Sequence, residues 1–148
     1  MVLRSHRAFA LVLALGVLSC SRPPDISDEL EDFANQLNDL ADATCECPQD
    51  IGYTSLGECL DDRFVDPDER ECQAEVTKGY EEETKAYLDC SSPMLDAYIE
   101  CLRMNPGCVD GWWLDCTNAY LDDVASCPRL PDEILQDFVD CNASDNQP

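Results

Sequence analysis

The sequence predicts an all-α fold, a small disulfide-rich bundle of five to six helices over residues 25–142. Apolar residues recur at steps of three and four along most of this range, which is the spacing of one helix face. Proline and glycine separate these segments, and no stretch of useful length alternates apolar with polar residues as a strand does. Ten cysteines lie beyond residue 44, an even set that is typical of an exported domain held by disulfides.

Residues 1–19 have the layout of an export signal. Arg4 and Arg7 precede an uncharged, apolar stretch from Ala8 to Leu18. This stretch is too short to span a bilayer, because a spanning helix needs about 20 apolar residues. We therefore interpret residues 1–19 as a signal peptide rather than a membrane anchor. An ordinary secretory signal, with Cys20 as one more residue of the mature chain, is the alternative.

The signal ends in Val17-Leu18-Ser19-Cys20, which resembles the lipobox of bacterial lipoproteins. The resemblance covers the signal alone, and it implies that Cys20 becomes the N-terminus and carries fatty acyl chains such as palmitate. Ser21 stands where Asp would retain such a protein in the inner membrane, so the resemblance also implies the outer membrane. Several acyl chains on one residue anchor a protein durably, whereas one holds it only marginally. The proline-containing tether 20–24 would then keep the domain close to the lipid.

The cysteine count supports the same interpretation of Cys20. The chain has eleven cysteines, and an odd number leaves one without a partner. If Cys20 carries lipid, the other ten can close as five disulfides in an oxidising compartment. The predicted disulfide cysteines are Cys45, Cys47, Cys59, Cys72, Cys90, Cys101, Cys108, Cys116, Cys127 and Cys141.

The first predicted helix follows the tether and is capped by Asp25. Acidic residues in its first turn suit the positive end of the helix dipole. Its apolar stripe consists of Ile26, Leu30, Phe33, Leu37 and Leu40. A shorter second helix is expected over residues 54–64, with Gly57 weakening the pattern.

A long third helix is expected from Pro67 to about Leu88, because proline loses no hydrogen bond at a first helical position. Glu81 and Lys85 stand four residues apart and are expected to pair on its exposed face. Its inner face would carry Cys72, Val76, Tyr80 and Tyr87.

Three further helices complete the prediction. The fourth begins at Ser92-Pro93, ends at residues 105–107 and carries Leu95, Ile99 and Leu102. The fifth is capped by Asp110, and its inner face carries Trp113, Cys116, Tyr120, Val124 and Cys127. The last opens at Pro131, with Ile134, Phe138 and Cys141 on one side. The polar tail 143–148 is expected to be disordered.

A repeated Cys-x10-Cys spacing predicts two of the disulfides. Eleven residues make about 3.06 helical turns, so both cysteines of each repeat return to nearly the same face. If the fourth and fifth helices pair antiparallel, Cys101 lies opposite Cys116 near the turn and Cys90 lies opposite Cys127 at the open end. The pairing of Cys90 with Cys127 has less support from the spacing, because Cys90 precedes the proline at which the fourth helix is expected to begin.

The composition is strongly acidic and limits the partners. The formal net charge is −23, and without residues 1–19 seven basic residues face 32 acidic ones, a charge of about −25. Such a surface repels nucleic acid and anionic lipid head groups, and favours cations or basic partners. The only histidine, His6, belongs to the signal, so the mature chain has no Ser-His or Cys-His nucleophile pair and no imidazole metal ligand. We therefore predict no enzyme and no cofactor.

Cys45-Glu46-Cys47 is the one local arrangement that suggests redox chemistry, since two close thiols can exchange disulfides. Glu46 would raise the pKa of a neighbouring thiol and so oppose this use. We favour the structural interpretation, in which the two cysteines form separate bridges.

An acidic segment offers oxygen ligands of the kind that calcium takes. It consists of Asp61, Asp62, Asp66, Asp68 and Glu69. The segment lacks the residue order of an EF-hand, and a solvated run of charge is the simpler interpretation.

Trp112 and Trp113 are neighbours on the fifth helix and point about 100° apart, so they cannot both face one core. One of them is a candidate for an exposed binding patch, although a single exposed aromatic is also ordinary.

Three functional hypotheses follow from the sequence. The first is a lipid-anchored structural or interaction module of the bacterial envelope, with an unidentified protein partner and contact with the membrane through Cys20. The second is a surface protein that binds divalent cations such as Ca²⁺. The third and most remote is a thiol-disulfide redox protein.

Overall fold

The computed structural model describes residues 22–105 and 107–141, and this part of the chain is helical with no strand. The signal peptide, Cys20 and the tail 143–148 lie outside the described residues. The helices are α1 (Ser27–Cys45), α2 (Leu56–Arg63), α3 (Pro67–Val76), α4 (Glu81–Arg103), α5 (Trp112–Val124) and α6 (Asp132–Cys141), with a short 3-10 helix at Pro48–Ile51 between α1 and α2. The prediction of a small disulfide-rich helical bundle is confirmed.

The apolar core lies between α1 and α4 and extends to α5 and α6. Leu88 and Leu95 of α4 are almost fully buried, and Phe33 of α1 meets Phe138 of α6 with 6.2 Å between ring centroids. The core residues are Ile26, Leu30, Phe33, Ala43, Leu88, Leu95, Tyr98, Ile99, Leu102, Cys116 and Phe138. The stripes predicted for the first, fourth and last helices supply most of this core.

The first helix begins close to its predicted cap. The carboxylate of Asp25 accepts hydrogen bonds from the backbone amide and the hydroxyl of Ser27, at 3.2 and 2.7 Å. These bonds lower the pKa of Asp25. Ile26 itself occupies the N-cap position and its side chain is buried in the core. The chain thus enters the folded body at Ile26, two residues after the prolines of the tether.

The start of α3 is as predicted. Asp66 accepts hydrogen bonds from the amides of Asp68 and Glu69, while the Glu69 carboxylate accepts from the amide of Asp66. This capping box satisfies amides that the first helical turn leaves without partners, and Pro67 follows the cap. The buried residues of α3 are Glu69 and Gln73, however, and the expected inner positions Cys72 and Val76 are only partly buried.

The expected boundary between the third and fourth helices is wrong. The helix that starts at Pro67 ends at Val76 instead of continuing to Leu88, because Gly79 takes a left-handed conformation (φ +85°) that turns the chain. The next helix then passes through Pro93 without interruption. An interior proline costs about 3 kcal/mol, and the burial of Leu88 and Leu95 on either side offsets this cost.

The expected pairing of Glu81 with Lys85 is also wrong. Glu81 begins α4 and accepts a hydrogen bond from the amide of Gly79, which lowers its pKa. Lys85 instead pairs with Glu29 of α1 and with Asp89 one turn further along α4. A tertiary contact between α1 and α4 therefore replaces the local pair.

The start of α5 differs from its predicted position, whereas the start of α6 agrees with the prediction. The N-cap of α5 is Gly111 (φ +82°) rather than Asp110, because the chain turns through a left-handed conformation there. The α6 helix starts directly after Pro131, and Ile134, Phe138 and Cys141 are all buried as its stripe predicts.

Candidate functional site

All ten cysteines beyond residue 44 are joined to one another as five disulfides. The distances between paired Cα atoms run from 5.4 to 5.9 Å, within the range of ordinary bridges. The pairs are Cys45–Cys59, Cys47–Cys108, Cys72–Cys141, Cys90–Cys127 and Cys101–Cys116. Four bridges connect α1 to α2, α3 to α6 and α4 to α5 and the residues just beyond it, while Cys47–Cys108 joins the segment after α1 to the segment between α4 and α5.

The two pairs that the x10 spacing predicts are both present. Cys101 is joined to Cys116 near the turn between α4 and α5, and Cys90 is joined to Cys127 just beyond the far end of α5. Cys90 lies within α4, because that helix runs through Pro93. The two bridges fix the position of α5 along α4 at both ends.

Cys45 and Cys47 form separate bridges, as the structural interpretation of this segment expects. Cys45 is completely buried and is joined to Cys59 of α2, whereas Cys47 is partly exposed and is joined to Cys108. Cys108 has a left-handed backbone conformation (φ +55°), which is unusual for a residue other than glycine. The segment therefore presents two structural disulfides and no adjacent dithiol.

An aromatic cluster lies between α4 and α5. The rings of Tyr98 and Tyr120 stack with centroids 5.0 Å apart, and the Tyr98 hydroxyl is 2.9 Å from the hydroxyl of Thr117. Burial, together with the nearby hydroxyls of Tyr87 and Tyr98, raises the pKa of Tyr120 to about 12. Burial also raises the pKa of Tyr87. This cluster joins the two helices by packing as well as by covalent bonds.

Tyr120 lies on the predicted inner stripe of its helix, whereas Tyr98 is a buried residue that was not among the predicted inner positions. The signal was available, because Tyr98 follows Leu95 by three residues and precedes Leu102 by four.

Both tryptophans pack against the core, and neither is an exposed patch. Trp112 and Trp113 are each partly buried. The indole nitrogen of Trp112 donates a hydrogen bond of 2.8 Å to the carbonyl oxygen of Cys101. Neither tryptophan is therefore the exposed candidate for a binding patch, since both rings are partly covered by the core.

The acidic side chains between residues 61 and 69 make different contacts in the fold. The hydroxyl of Tyr53 donates to the carboxylate of Asp62, and this bond raises the pKa of Tyr53. Asp66 and Glu69 form the capping box of α3. Asp61 and Asp62 line an open depression with Tyr53 and Glu58, and the guanidinium of Arg63 lies 5.9 Å from the centre of the Tyr53 ring. Within residues 22–105 and 107–141, no group of three or more histidine, cysteine or acidic side chains is placed to hold a metal ion.

Lys85 makes the one described ion pair that joins α1 to α4 on a partly buried surface. Its ammonium group contacts Glu29 and lies 3.2 Å from Asp89. The hydrogen bond to Glu29 raises the pKa of Lys85 and lowers the pKa of Glu29. A second pair between Arg103 and Asp39 joins the same helices at 3.3 Å but is more exposed.

The described helices lie in one folded body, and none of them is both long and apolar enough to cross a bilayer. No protein-family model matches the chain, and no curated protein or solved structure is significantly similar to it.

Proposed function

We propose that this protein is a lipid-anchored interaction module of the bacterial envelope, attached through acyl chains on Cys20 and stabilised by five disulfides. The body carries no catalytic chemistry in this proposal; it presents an acidic, covalently braced surface to a protein partner. The outer membrane is the proposed location, since Ser21 follows Cys20.

The pairing of the cysteines is the observation that carries the proposal. The chain has eleven cysteines, and ten of them are used in bridges within the described body. Cys20 therefore has no cysteine of its own chain left to pair with. A free thiol is unfavourable to keep in an oxidising compartment, whereas a thioether to lipid uses the sulfur permanently. The lipobox-like residues Val17 to Ser19 support the same assignment.

The entry of the chain into the fold also supports an anchor at this position. Arg22 and Pro23 are exposed, and the first buried residue of the described range 22–105 is Ile26. A chain spans at most about 3.3 to 3.6 Å per residue, so the six residue steps from Cys20 to Ile26 allow a separation of at most roughly 20 Å. A lipid at Cys20 would hold the body next to the membrane surface, and the excess of carboxylates would turn it away from anionic head groups.

Intact-mass measurement of the protein purified from its own cells tests the anchor. We expect a polypeptide that begins at Cys20 and carries the added mass of fatty acyl chains, found in the outer-membrane fraction. The Cys20→Ser variant should lose the acyl mass and the membrane association, whereas the neighbouring Ser21→Ala variant should keep both. Ser21→Asp should move the acylated protein to the inner membrane.

A native polypeptide that begins elsewhere, or that carries no acyl chain, would contradict the anchor. The interaction role is tested separately by affinity capture of the native protein from the envelope. A protein recovered alone, with no partner in comparable amount, would contradict that role.

A further inference from the structure

An exposed side of α5 carries an apolar ridge, which consists of Leu114 and Leu121. These two side chains are 52% and 54% exposed, although α5 packs on α4 through its neighbouring face, where Cys116 and Tyr120 lie. They are seven residues apart, so they lie along one line of the helix about 10.5 Å from each other. Within residues 22–105 and 107–141, the other large exposed apolar residues are not paired on one helix in this way; they are Leu56, Phe64, Met104, Val109 and Val139.

The ridge is held rigidly because covalent and hydrogen-bonded contacts attach the α5 segment to α4. The disulfides Cys101–Cys116 and Cys90–Cys127 fix both ends of the α5 segment to α4. The hydrogen bond from Trp112 to the Cys101 carbonyl adds a further contact between the two helices. A surface that is already ordered loses little conformational entropy when a partner binds. The ridge is therefore suited to docking rather than to closing over the body.

The charges beside the ridge select the kind of partner. Asp115 and Asp122 each follow a ridge leucine directly and are exposed. The helix Trp112–Val124 contains no lysine or arginine. Two apolar anchors flanked by carboxylates are complementary to a surface with apolar residues flanked by lysine or arginine. The same carboxylates oppose contact with anionic lipid, and a second copy of this chain would bring the same large negative charge to the contact.

We propose that the ridge of Leu114 and Leu121 docks a basic amphipathic helix of a partner protein, whose apolar side chains are also spaced seven residues apart and whose lysines or arginines face Asp115 and Asp122. This inference rests on the proposed role as an interaction module and names the surface that performs it. Helix-on-helix docking of this kind uses apolar anchors at one-heptad spacing for affinity and flanking charges for orientation.

The test uses the mature protein as purified from its own cells, in one non-ionic detergent solution throughout. The probe is a synthetic helical peptide of about 18 residues with leucine on one face and lysine on the other. Its dissociation constant is measured by fluorescence anisotropy. The double variant Leu114→Gln with Leu121→Gln is compared with Leu56→Gln plus Val139→Gln, two residues of α2 and α6 that are each 52% exposed.

We expect the ridge variant to weaken peptide binding about tenfold or more, and the control variant to change it less than about twofold. Because all four leucine and valine side chains are exposed, circular dichroism and the disulfide map should be unchanged in both variants. Equal weakening by the two double variants, or none by either, would overturn the proposal.

The acidic residues are tested in the same assay. Asp115→Asn with Asp122→Asn should weaken binding roughly threefold and flatten its dependence on salt between about 50 and 500 mM. Glu82→Gln with Asp137→Asn removes the same charge from exposed positions of α4 and α6 and should have little effect. Equal effects of the two charge variants would contradict the proposed orientation of the partner.

The result of the peptide-binding test can be distinguished from the result for the proposed lipid anchor. Acylation of Cys20 is read by mass in the same samples, so loss of the anchor and loss of peptide binding are independent results. Sedimentation of the protein without peptide gives the remaining test. A dimer that the ridge variant abolishes would show that a second copy occupies the ridge, and would overturn the assignment to a basic partner.

Discussion

The α1, α4 and α5 helices are joined by apolar packing, whereas α2 and α3 are joined to the body mainly by disulfides and polar contacts. The α4 helix buries Leu88, Leu95, Ile99 and Leu102 against its neighbours. Between residues 56 and 76, the buried residues are Cys59, Val65, Glu69 and Gln73. These two helices thus contribute few fully buried apolar side chains, and Val76 of α3 packs against the core only partly buried.

The polar attachment of α2 and α3 is specific. The side chain of Asn38 accepts a hydrogen bond of 2.7 Å from the amide of Val65 and donates one of 3.3 Å to the Val65 carbonyl. It thereby satisfies both backbone groups of the residue between the two helices. Cys45–Cys59 and Cys72–Cys141 add covalent attachment on either side. Where a strongly acidic chain has few apolar residues to bury, crosslinks and buried hydrogen bonds replace them.

Reduction of the five disulfides should have the largest effect. Each bridge typically contributes about 2–4 kcal/mol, and a body with this charge is opposed by its own repulsion. We expect the helical circular dichroism signal to be lost when reductant is added in the absence of denaturant. Moderate acidification, which reduces that repulsion, should leave the signal in place. A helical signal that persists in reductant would show that the apolar core of α1, α4 and α5 is sufficient by itself.

Removal of single bridges should separate the two regions. Cys45–Cys59 and Cys101–Cys116 close loops of similar length, with sequence separations of 14 and 15. Removal of either bridge should therefore lower the free energy of unfolding by about 3 kcal/mol, because the unfolded chain gains conformational freedom. Cys45→Ala with Cys59→Ala should also release α2 locally. Cys101→Ala with Cys116→Ala should leave α5 on α4, because the contacts of Tyr98 and Trp112 remain. Hydrogen exchange of the backbone amides in α2 and α5 measures these two outcomes. An equal loss of protection in both helices would contradict the proposed difference between the two regions.

Asn38→Ala should have an intermediate effect. The substitution leaves both backbone groups of Val65 without their buried partners, and we expect the free energy of unfolding to fall by about 1–3 kcal/mol. Urea denaturation with the disulfides intact measures the loss. The control is Asn35→Ala, an exposed position of the same helix, which should stay within about 0.5 kcal/mol of the parent.

Glu29→Gln should have the smallest effect, since its pair with Lys85 lies on a partly exposed surface. The pKa of Glu29 is lowered in the folded state, so its contribution is present at neutral pH and is lost as the pH falls through that lowered pKa. At pH 7 we expect a Tm lower by roughly 1–2 °C, and this difference should shrink steadily as the pH is lowered into the acidic range. Glu31→Gln, at an exposed position of α1, is the control. A difference that grows at low pH would contradict the assigned sign.

Helix faces and their caps could be predicted from the sequence where the determinants are local. The stripe of Ile134, Phe138 and Cys141 and the cap at Asp66 depend on residues within one or two turns. The x10 spacing predicts a staple between two helices because it depends only on the helical repeat.

Features set by tertiary contacts could not be predicted in the same way. The passage of α4 through Pro93 depends on what α4 buries against α1, which the residues next to Pro93 do not reveal. Lys85 likewise pairs with Glu29, a residue 56 positions away. The assignment of lipid to Cys20 lies outside the described residues and stays a prediction. The exposure of Leu114 and Leu121 depends on how α5 is seated on α4, which helical spacing alone does not determine.

The bridge between Cys72 and Cys141 has a consequence for how the protein is turned over. Cys141 lies at the end of α6 and is bonded to Cys72 of α3. A protease that unfolds its substrate by pulling cannot translocate α6 as a single strand, because the crosslink draws α3 along with it. Release of α6 from the folded body therefore requires a reductant.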